Sequence, residues 1–362
     1  MIPIYKPYLP KESLNYAHKA IDSTWVSSHG YYLDRAREKL QQYWETPYVI
    51  LTNNGTAANH MMAYAMSQVY SSRMNLICPN NVYVAAWNPF LLEKYKLYPK
   101  DANIETWNID LSKYEDHWSS LFLVVHNLGN IINVPELKKL YPEIPIIEDN
   151  CEGFGGFYNG LKTGTASECA TVSFYGNKNI TSGEGGAFYT KDETIYEHAL
   201  GFWGQGQREI RFLHTQRGYN YRMTNVEAAI LLGQIERMGE IFELKEKVFE
   251  YYRDEFSKRD YAVLQKDEPN TINANWMFGI RIPGIKYSYI KYFLNIKEID
   301  IRPMFYPITH HFHLVNVSCK KDVAQLLSNE CFILPSYPEL TREDQDYIIR
   351  SVDEYVRENN IL

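Results

Sequence analysis

One lysine, Lys178, sits inside a polar, glycine-punctuated stretch: Ser173-Phe174-Tyr175-Gly176-Asn177-Lys178-Asn179-Ile180-Thr181-Ser182-Gly183-Glu184-Gly185-Gly186. β-Branched and aromatic residues on either side predict two strands, 170–174 and 185–189. Glycines at 183, 185 and 186 predict a backbone that turns sharply and approaches a ligand closely. A loop lysine is ordinarily a solvated one. Held in a low-polarity site, the same amine becomes a nucleophile that forms a Schiff base with a carbonyl. What else the chain brings to that place decides between the two.

Two further constellations bear on the choice. Residues 48–52 predict a strand that runs into Asn53-Asn54-Gly55-Thr56-Ala57-Ala58, with a helix after it to about Ser71. A strand, a small polar turn and a helix start offer free N–H groups and the positive dipole end to a phosphate, although an ordinary helix cap needs the same residues. The apolar run 144–147 ends in Glu148-Asp149, at the crevice end of what would be a parallel strand. Asp149 there can ion-pair with a protonated ring nitrogen, while a carboxylate of the Glu148 kind can instead cap a helix. Amine, phosphate turn and carboxylate together make a pyridoxal phosphate (PLP) site. Tyr83, just past the predicted strand 75–79, can stack on a planar ring or pack into the core. His126 follows an apolar strand and is expected to be a hydrogen-bonded wall residue. His310, His311 and His313 have a ligand-like spacing, but no carboxylate or cysteine completes the set and no metal is expected.

Those groups need a scaffold, and the totals permit one. The chain has 362 residues, 45% of them apolar, with formal net charge −7, which argues against a general nucleic-acid binder. Its five cysteines are widely spaced with no CxxC pair, so neither a disulfide framework nor a zinc site is signalled. No signal pattern and no membrane-length apolar run is read, and the expected location is the cytoplasm. Helices are expected over 13–23, through the thirties to Trp44, from Asn80–Asn88 onward, over 287–294 and over 341–359. Residues 191–222 read as a crossover rich in Gly, Arg and aromatics. Thr224 with Glu227 three residues on is a capping box that starts a helix to about Met238. A long charged helix, 241–258, then marks the boundary between a large unit, 1–240, and a small one, 241–362. The loop Trp25-Val26-Ser27-Ser28-His29-Gly30 suits a sugar or nucleotide contact as well as a plain surface turn. With no Gly-x-Gly-x-x-Gly after the first strand, a Rossmann-type dehydrogenase is disfavoured.

Taken together, these motifs resemble the DegT/DnrJ/EryC1/StrS group of sugar-nucleotide aminotransferases. The resemblance runs over nearly the whole chain: Trp25 to Gly30, Gly55-Thr56-Ala57, Tyr83, Glu148-Asp149, Ser173 to Gly186, Gly218-Tyr219-Asn220-Tyr221-Arg222-Met223, Arg302 to Pro307 and Leu334 to Ser336. It implies an α/β protein of aminotransferase fold type I, with a large PLP domain on a mainly parallel sheet and a smaller C-terminal α/β domain. It implies that Lys178 binds PLP covalently and that Asp149 meets the pyridine nitrogen. Gly55, Thr56, Ala57 and Ser173 take the phosphate, Tyr83 the ring face and Glu152 the phenolic oxygen, where relatives often have Gln or His. Asn220 reaches the phosphate in a neighbouring subunit, which implies a homodimer. Trp25, Ser27, Ser28, Arg222, Arg302, Tyr306 and His310 are the implied substrate contacts, His310 standing one residue past the family's usual histidine position. The implied reaction moves the amino group of L-glutamate to carbon 4 of a nucleotide-linked 4-keto-6-deoxyhexose, as in the perosamine and viosamine synthase branch. A 3-keto sugar aminotransferase and a PLP-dependent sugar dehydratase are the alternatives. The dehydratase branch carries histidine where Lys178 stands. A regulatory, non-enzymatic role is disfavoured by the intact Lys178, Asp149 and Ser173 and by the lack of a basic face.

Overall fold

Short, mostly apolar runs between polar turns supply the strands of the central sheet. The computed structural model describes residues 1–112 and 120–360. Seven strands make that sheet: β1 (Tyr48–Thr52), β2 (Asn75–Pro79), β3 (Lys96–Lys100), β4 (Ser120–Val125), β5 (Ile146–Asp149), β8 (Cys169–Ser173) and β9 (Gly186–Thr190). Their order is β1-β9-β8-β5-β4-β2-β3, and only the two pairings made by β9 are antiparallel. Every residue of β4, β5, β8 and β9 is buried, as a sheet covered on both faces demands.

Alternation along the strands feeds three cores. Leu121, Leu123 and Val125 pack with α3 (Gly55–Val69), α4 (Asn88–Leu92) and α6 (Glu193–Trp203). Phe122 and Val124 pack with α5 (Val134–Leu140), and Val49, Ala170 and Ala187 with α1 (Lys11–Asp22), α2 (Tyr31–Trp44) and α7 (Asn225–Glu236). Helix α3 is buried almost all round from Gly55 to Met66, and its alanines, glycine and unbranched methionines let it lie close on the sheet.

A second sheet, β10 (Val263–Leu264), β12 (Phe278–Arg281), β14 (Cys331–Leu334) and β13 (Arg302–Pro303), is antiparallel throughout. It packs on α8 (Met238–Ser257), α9 (Tyr287–Ile296) and α11 (Arg342–Glu358) through Phe249, Tyr252, Ile280, Phe332 and Ile348. A small three-stranded sheet joins β6 (Phe157–Tyr158), β7 (Leu161–Lys162) and β11 (Thr271–Ile272). The N-terminal segment reaches the second sheet's surroundings, with Ile2 bridged to Ile299. Asp101, just past β3, accepts the Val323 and Ala324 N–H groups at 3.0 and 2.9 Å, at the start of α10 (Asp322–Glu330).

Several expectations need correction. Residues 191–222 are not all crossover: Asp192 caps α6 through Ile195 N–H at 2.9 Å, and Ile195, Ala199 and Phe202 bury one helical stripe. The helix expected after Asn80 is a 3-10 turn, Val84–Ala86, followed by the five-residue α4. Glu148 caps no helix; it is fully buried and accepts bonds from Tyr158 Oη (3.0 Å) and Gly164 N (2.9 Å). Strand β3 and helices α5 and α10 come without a sequence expectation. Among the described residues no helix is long and apolar enough to cross a membrane, and all five cysteines are free.

The expected capping box at α7 is present: Thr224 Oγ1 accepts Glu227 N–H at 3.2 Å, and Glu227 accepts Thr224 N–H at 2.8 Å. Thr224→Ala therefore lowers unfolding free energy by about 1 kcal/mol, to be read from the urea midpoint at unchanged slope.

Candidate active site

Where β1, β5 and β8 end, their following turns open into one cavity of about 740 Å³. Five of the expected cofactor residues line it directly from these turns: Gly55, Thr56, Asp149, Ser173 and Lys178. Tyr83 and Glu152 line it too, as do Arg302 and Tyr306 from the second sheet's side.

Each polar group has a physical cause for its placement. At the start of α3, the Asn54 side chain accepts Ala57 N–H at 2.8 Å, so Ala57 serves the cap and does not line the cavity. The helix start then has Gly55 and Thr56 to offer an anion, beside Ser173. A Cβ at position 55 would stand 2.7 Å from Ser173 Cβ and 3.1 Å from Cys151 Sγ; only glycine brings this helix start so near β8. Gly183 and Gly185 have φ of +90° and +141°, which gives the lysine loop its sharp return.

Asp149 is held from two sides. Asn59 Nδ2 donates to Oδ2 at 2.7 Å and Cys151 N–H to Oδ1 at 3.1 Å. Asn59 is itself oriented, because its Oδ1 accepts the Thr171 hydroxyl at 2.5 Å. These bonds fix the orientation of the Asp149 carboxyl group. Glu152 differs. Its Oε2 accepts Leu128 N–H at 2.9 Å, but burial pushes the carboxyl up to about 7, against opposing effects of Lys178 and that N–H. Burial pushes the Cys151 thiol up as well. His126 is the expected wall residue, with Nε2 2.9 Å from Glu148 Oε2 and Nδ1 accepting Ile132 N–H at 3.1 Å.

Other expected residues lie elsewhere. Trp25 is 62% exposed beside a separate hollow; Ser27 is exposed, and its carbonyl accepts Asn225 N–H at 2.7 Å. Ser28 and Arg222 line another cavity of about 800 Å³ together with Arg37, Arg208 and Arg211. Asn220 is exposed and bridges Gly204. His310 bonds Gln325 Oε1 at 2.7 Å outside the Lys178 cavity, whereas His311 lines it. Trp276, Met277, Glu184 and Asn177 also line the cavity without having been singled out. Trp276 follows a polar run, Asn273-Ala274-Asn275, and no spacing in the sequence marks it. Among the described residues no cluster of His, Cys, Asp or Glu is placed to hold a metal.

The donor set fits PLP: an anion cradle against a close-packed glycine, a fixed carboxylate and a lysine amine around one cavity. A mainly parallel α/β sheet carrying that set is the architecture of an aminotransferase of fold type I. The model of the DegT/DnrJ/EryC1/StrS aminotransferase family matches residues 7–353, and the chain belongs to that family, whose members are PLP-dependent aminotransferases. It is 31% identical to the GDP-perosamine synthase of Escherichia coli O157:H7, over 98% of each chain. The sugar aminotransferase CalS13 of Micromonospora echinospora superposes with TM-score 0.88 at 18% identity, over 98% of this chain and 100% of that one. The E. coli GDP-4-keto-6-deoxy-D-mannose-3-dehydratase, solved with bound hydrated PLP, superposes at 0.87 and 22% identity, over 97% and 99%.

Glu152 has a thermodynamic signature in the cofactor-free protein. Its folded value of about 7 lies above the ordinary 4.5, so the native state holds a proton that the unfolded state releases. Stability therefore falls as pH rises from 4.5 to 7, by at most about 1.4 kcal/mol per pH unit. Glu152→Gln removes this loss, and its stability relative to wild type grows across that window and levels off above it, measured by urea unfolding at a series of pH values.

Proposed function

We propose that the protein moves the amino group of L-glutamate to carbon 4 of a nucleotide-linked 4-keto-6-deoxyhexose. The observation that carries this is an intact Lys178 in one cavity with Asp149 and the α3 anion cradle, in a chain similar along its length to a perosamine synthase. Lysine at 178, where the dehydratase branch has histidine, favours amino transfer over dehydration.

Bound PLP would supply an electron sink for the electron pair left on the amino acid's α-carbon when its proton departs. The chain's own residues do the rest. The Gly55 and Thr56 N–H groups and the Ser173 hydroxyl would hold the phosphate. Asp149, held in place by Asn59 and the Cys151 N–H, would meet the ring nitrogen. Tyr83 would cover the ring and Glu152 would meet its phenolic oxygen. Lys178 anchors the cofactor and, as a free amine, takes a proton from the substrate carbon and returns it on the other side of the transfer. Arg302 and Tyr306 contact the substrate from the small unit, 241–362, across from the cofactor unit, 1–240.

Trp25, Ser27, Ser28, Asn220 and Arg222 lie outside this cavity, and we assign them to the site of a second copy, so that the working form is a homodimer with shared sites. His310 has the weaker substrate role, being bonded to Gln325. Free cysteines agree with a cytoplasmic reaction.

The test is an absorbance spectrum with PLP. A band near roughly 400–430 nm is expected for the lysine-linked cofactor. Glutamate bleaches it toward shorter wavelength, and nucleotide 4-keto-6-deoxysugars from a panel restore it. Lys178→Ala has neither the band nor turnover; a variant that kept both would overturn the assignment.

A further inference from the structure

The Lys178 ammonium has no carboxylate within 4.0 Å among the described residues, although Asp149, Glu152 and Glu184 line the same cavity. Its Nζ instead lies 3.8 Å from the centroid of the Trp276 ring. Cations are drawn to the face of an indole more than to any other aromatic face, and most where water is excluded. Trp276 is 5% exposed.

The indole is not there by loose packing. Its Nε1 donates to Asn177 O at 2.9 Å, which ties it to the residue preceding the lysine. Its own carbonyl accepts Lys245 Nζ at 2.8 Å, and that lysine also donates to Ser336 O. Lys245 is completely buried with no acidic partner within 4.0 Å among the described residues, and burial pushes its amine well down. A buried donor of this kind is costly, and here it joins the chain just before β12 to the chain just after β14. Tyr5 closes the group, its hydroxyl donating to Lys178 O at 3.0 Å. Three segments distant in sequence thus hold one ring beneath one amine.

We propose that Trp276 is a catalytic residue: its indole face receives Lys178 as an ammonium once the transfer has left that lysine released and protonated, and so stabilises the amino form of the enzyme over the lysine-linked form. The proposal rests on the functional reading above. In the half-reaction, the lysine-linked enzyme, glutamate and water give 2-oxoglutarate, the amino form of the cofactor and free Lys178. The C=N bond to Nζ is broken, and the water oxygen ends in the keto acid. Only the product side has a free lysine for the indole to hold.

The test is the equilibrium constant of that half-reaction, read from the absorbance band at fixed ratios of glutamate to 2-oxoglutarate. Trp276→Leu is expected to shift it about tenfold toward the lysine-linked form, and Trp276→Phe by less, since phenyl retains a weaker face. A purely structural role would change stability or rates and leave this constant alone. A constant within twofold of wild type in Trp276→Leu, or a shift in Trp276→Phe as large as that in Trp276→Leu, overturns the proposal. Wild-type protein with no band at all overturns the functional reading instead, so the two failures are distinct. A second measurement needs no Trp276 variant. In cofactor-free protein labelled with 13C-lysine, the Lys178 ε-methylene, assigned by its loss in Lys178→Ala, should resonate upfield of the other lysines under the indole ring current. An ordinary shift there also overturns the proposal.

Discussion

Helix α3 meets strand β8 with no room for a methyl group between Gly55 and Ser173, and the site follows from that seating. With α3 flush on the sheet, its first N–H groups stand beside the Ser173 hydroxyl, and Asn59, one turn along, touches both Thr171 and Asp149. Strand β8 then passes directly into the Lys178 loop, which returns through β9 to pair with β1 beside the same helix start. Anion cradle, carboxylate and amine are therefore not three independent placements. They are three readings of one helix-to-sheet distance, and close-packed interiors transmit a change in such a distance rather than absorb it.

How much of this was legible in the chain varies with the kind of signal. Gly55, Asp149 and Lys178 stand out because strand, turn and helix patterns fix them at strand ends, and the motif order places them together. Thr224 and Glu227 announce their cap by spacing alone, and the cap is there. Helix α6 escaped because glycines and aromatics beyond Phe202 mask a sound apolar stripe within it. Glu148 misled for another reason: a carboxylate after an apolar run normally caps or faces solvent, and its partners, Tyr158, Gly164 and His126, come from elsewhere in the fold. Trp276 was invisible for the same cause, since what makes it matter is tertiary: Asn177, Lys178 and Lys245 converge on it from separate stretches. The assignment of 1–240 and 241–362 to separate units stays a reading; the N-terminal residues lie against Ile299, across that division.

Charge around the cavity is divided by surroundings rather than by residue type. Asp149 and Glu152 are three positions apart, yet one collects two donors and the other only a single backbone N–H in a fully buried place. Burial raises the Glu152 carboxyl above its ordinary value, against the charge of Lys178 and the Leu128 N–H.

Among the described residues, strand β1 has its one sheet neighbour in β9, with Tyr48 opposite Thr190. On the ribosome, then, the turn after β1 emerges long before the strand that will fix it. At ordinary elongation rates the wait is on the order of ten seconds, and the first residues wait longer still for Ile299. During synthesis the apolar β1 has no partner to cover its edge, and such strands are open to wrong partners. Until β9 has been made, β1 has helices α2 and α3, its neighbours in the chain, to pack against, and a chain released before residue 178 would carry the half-built cradle with no lysine to serve it.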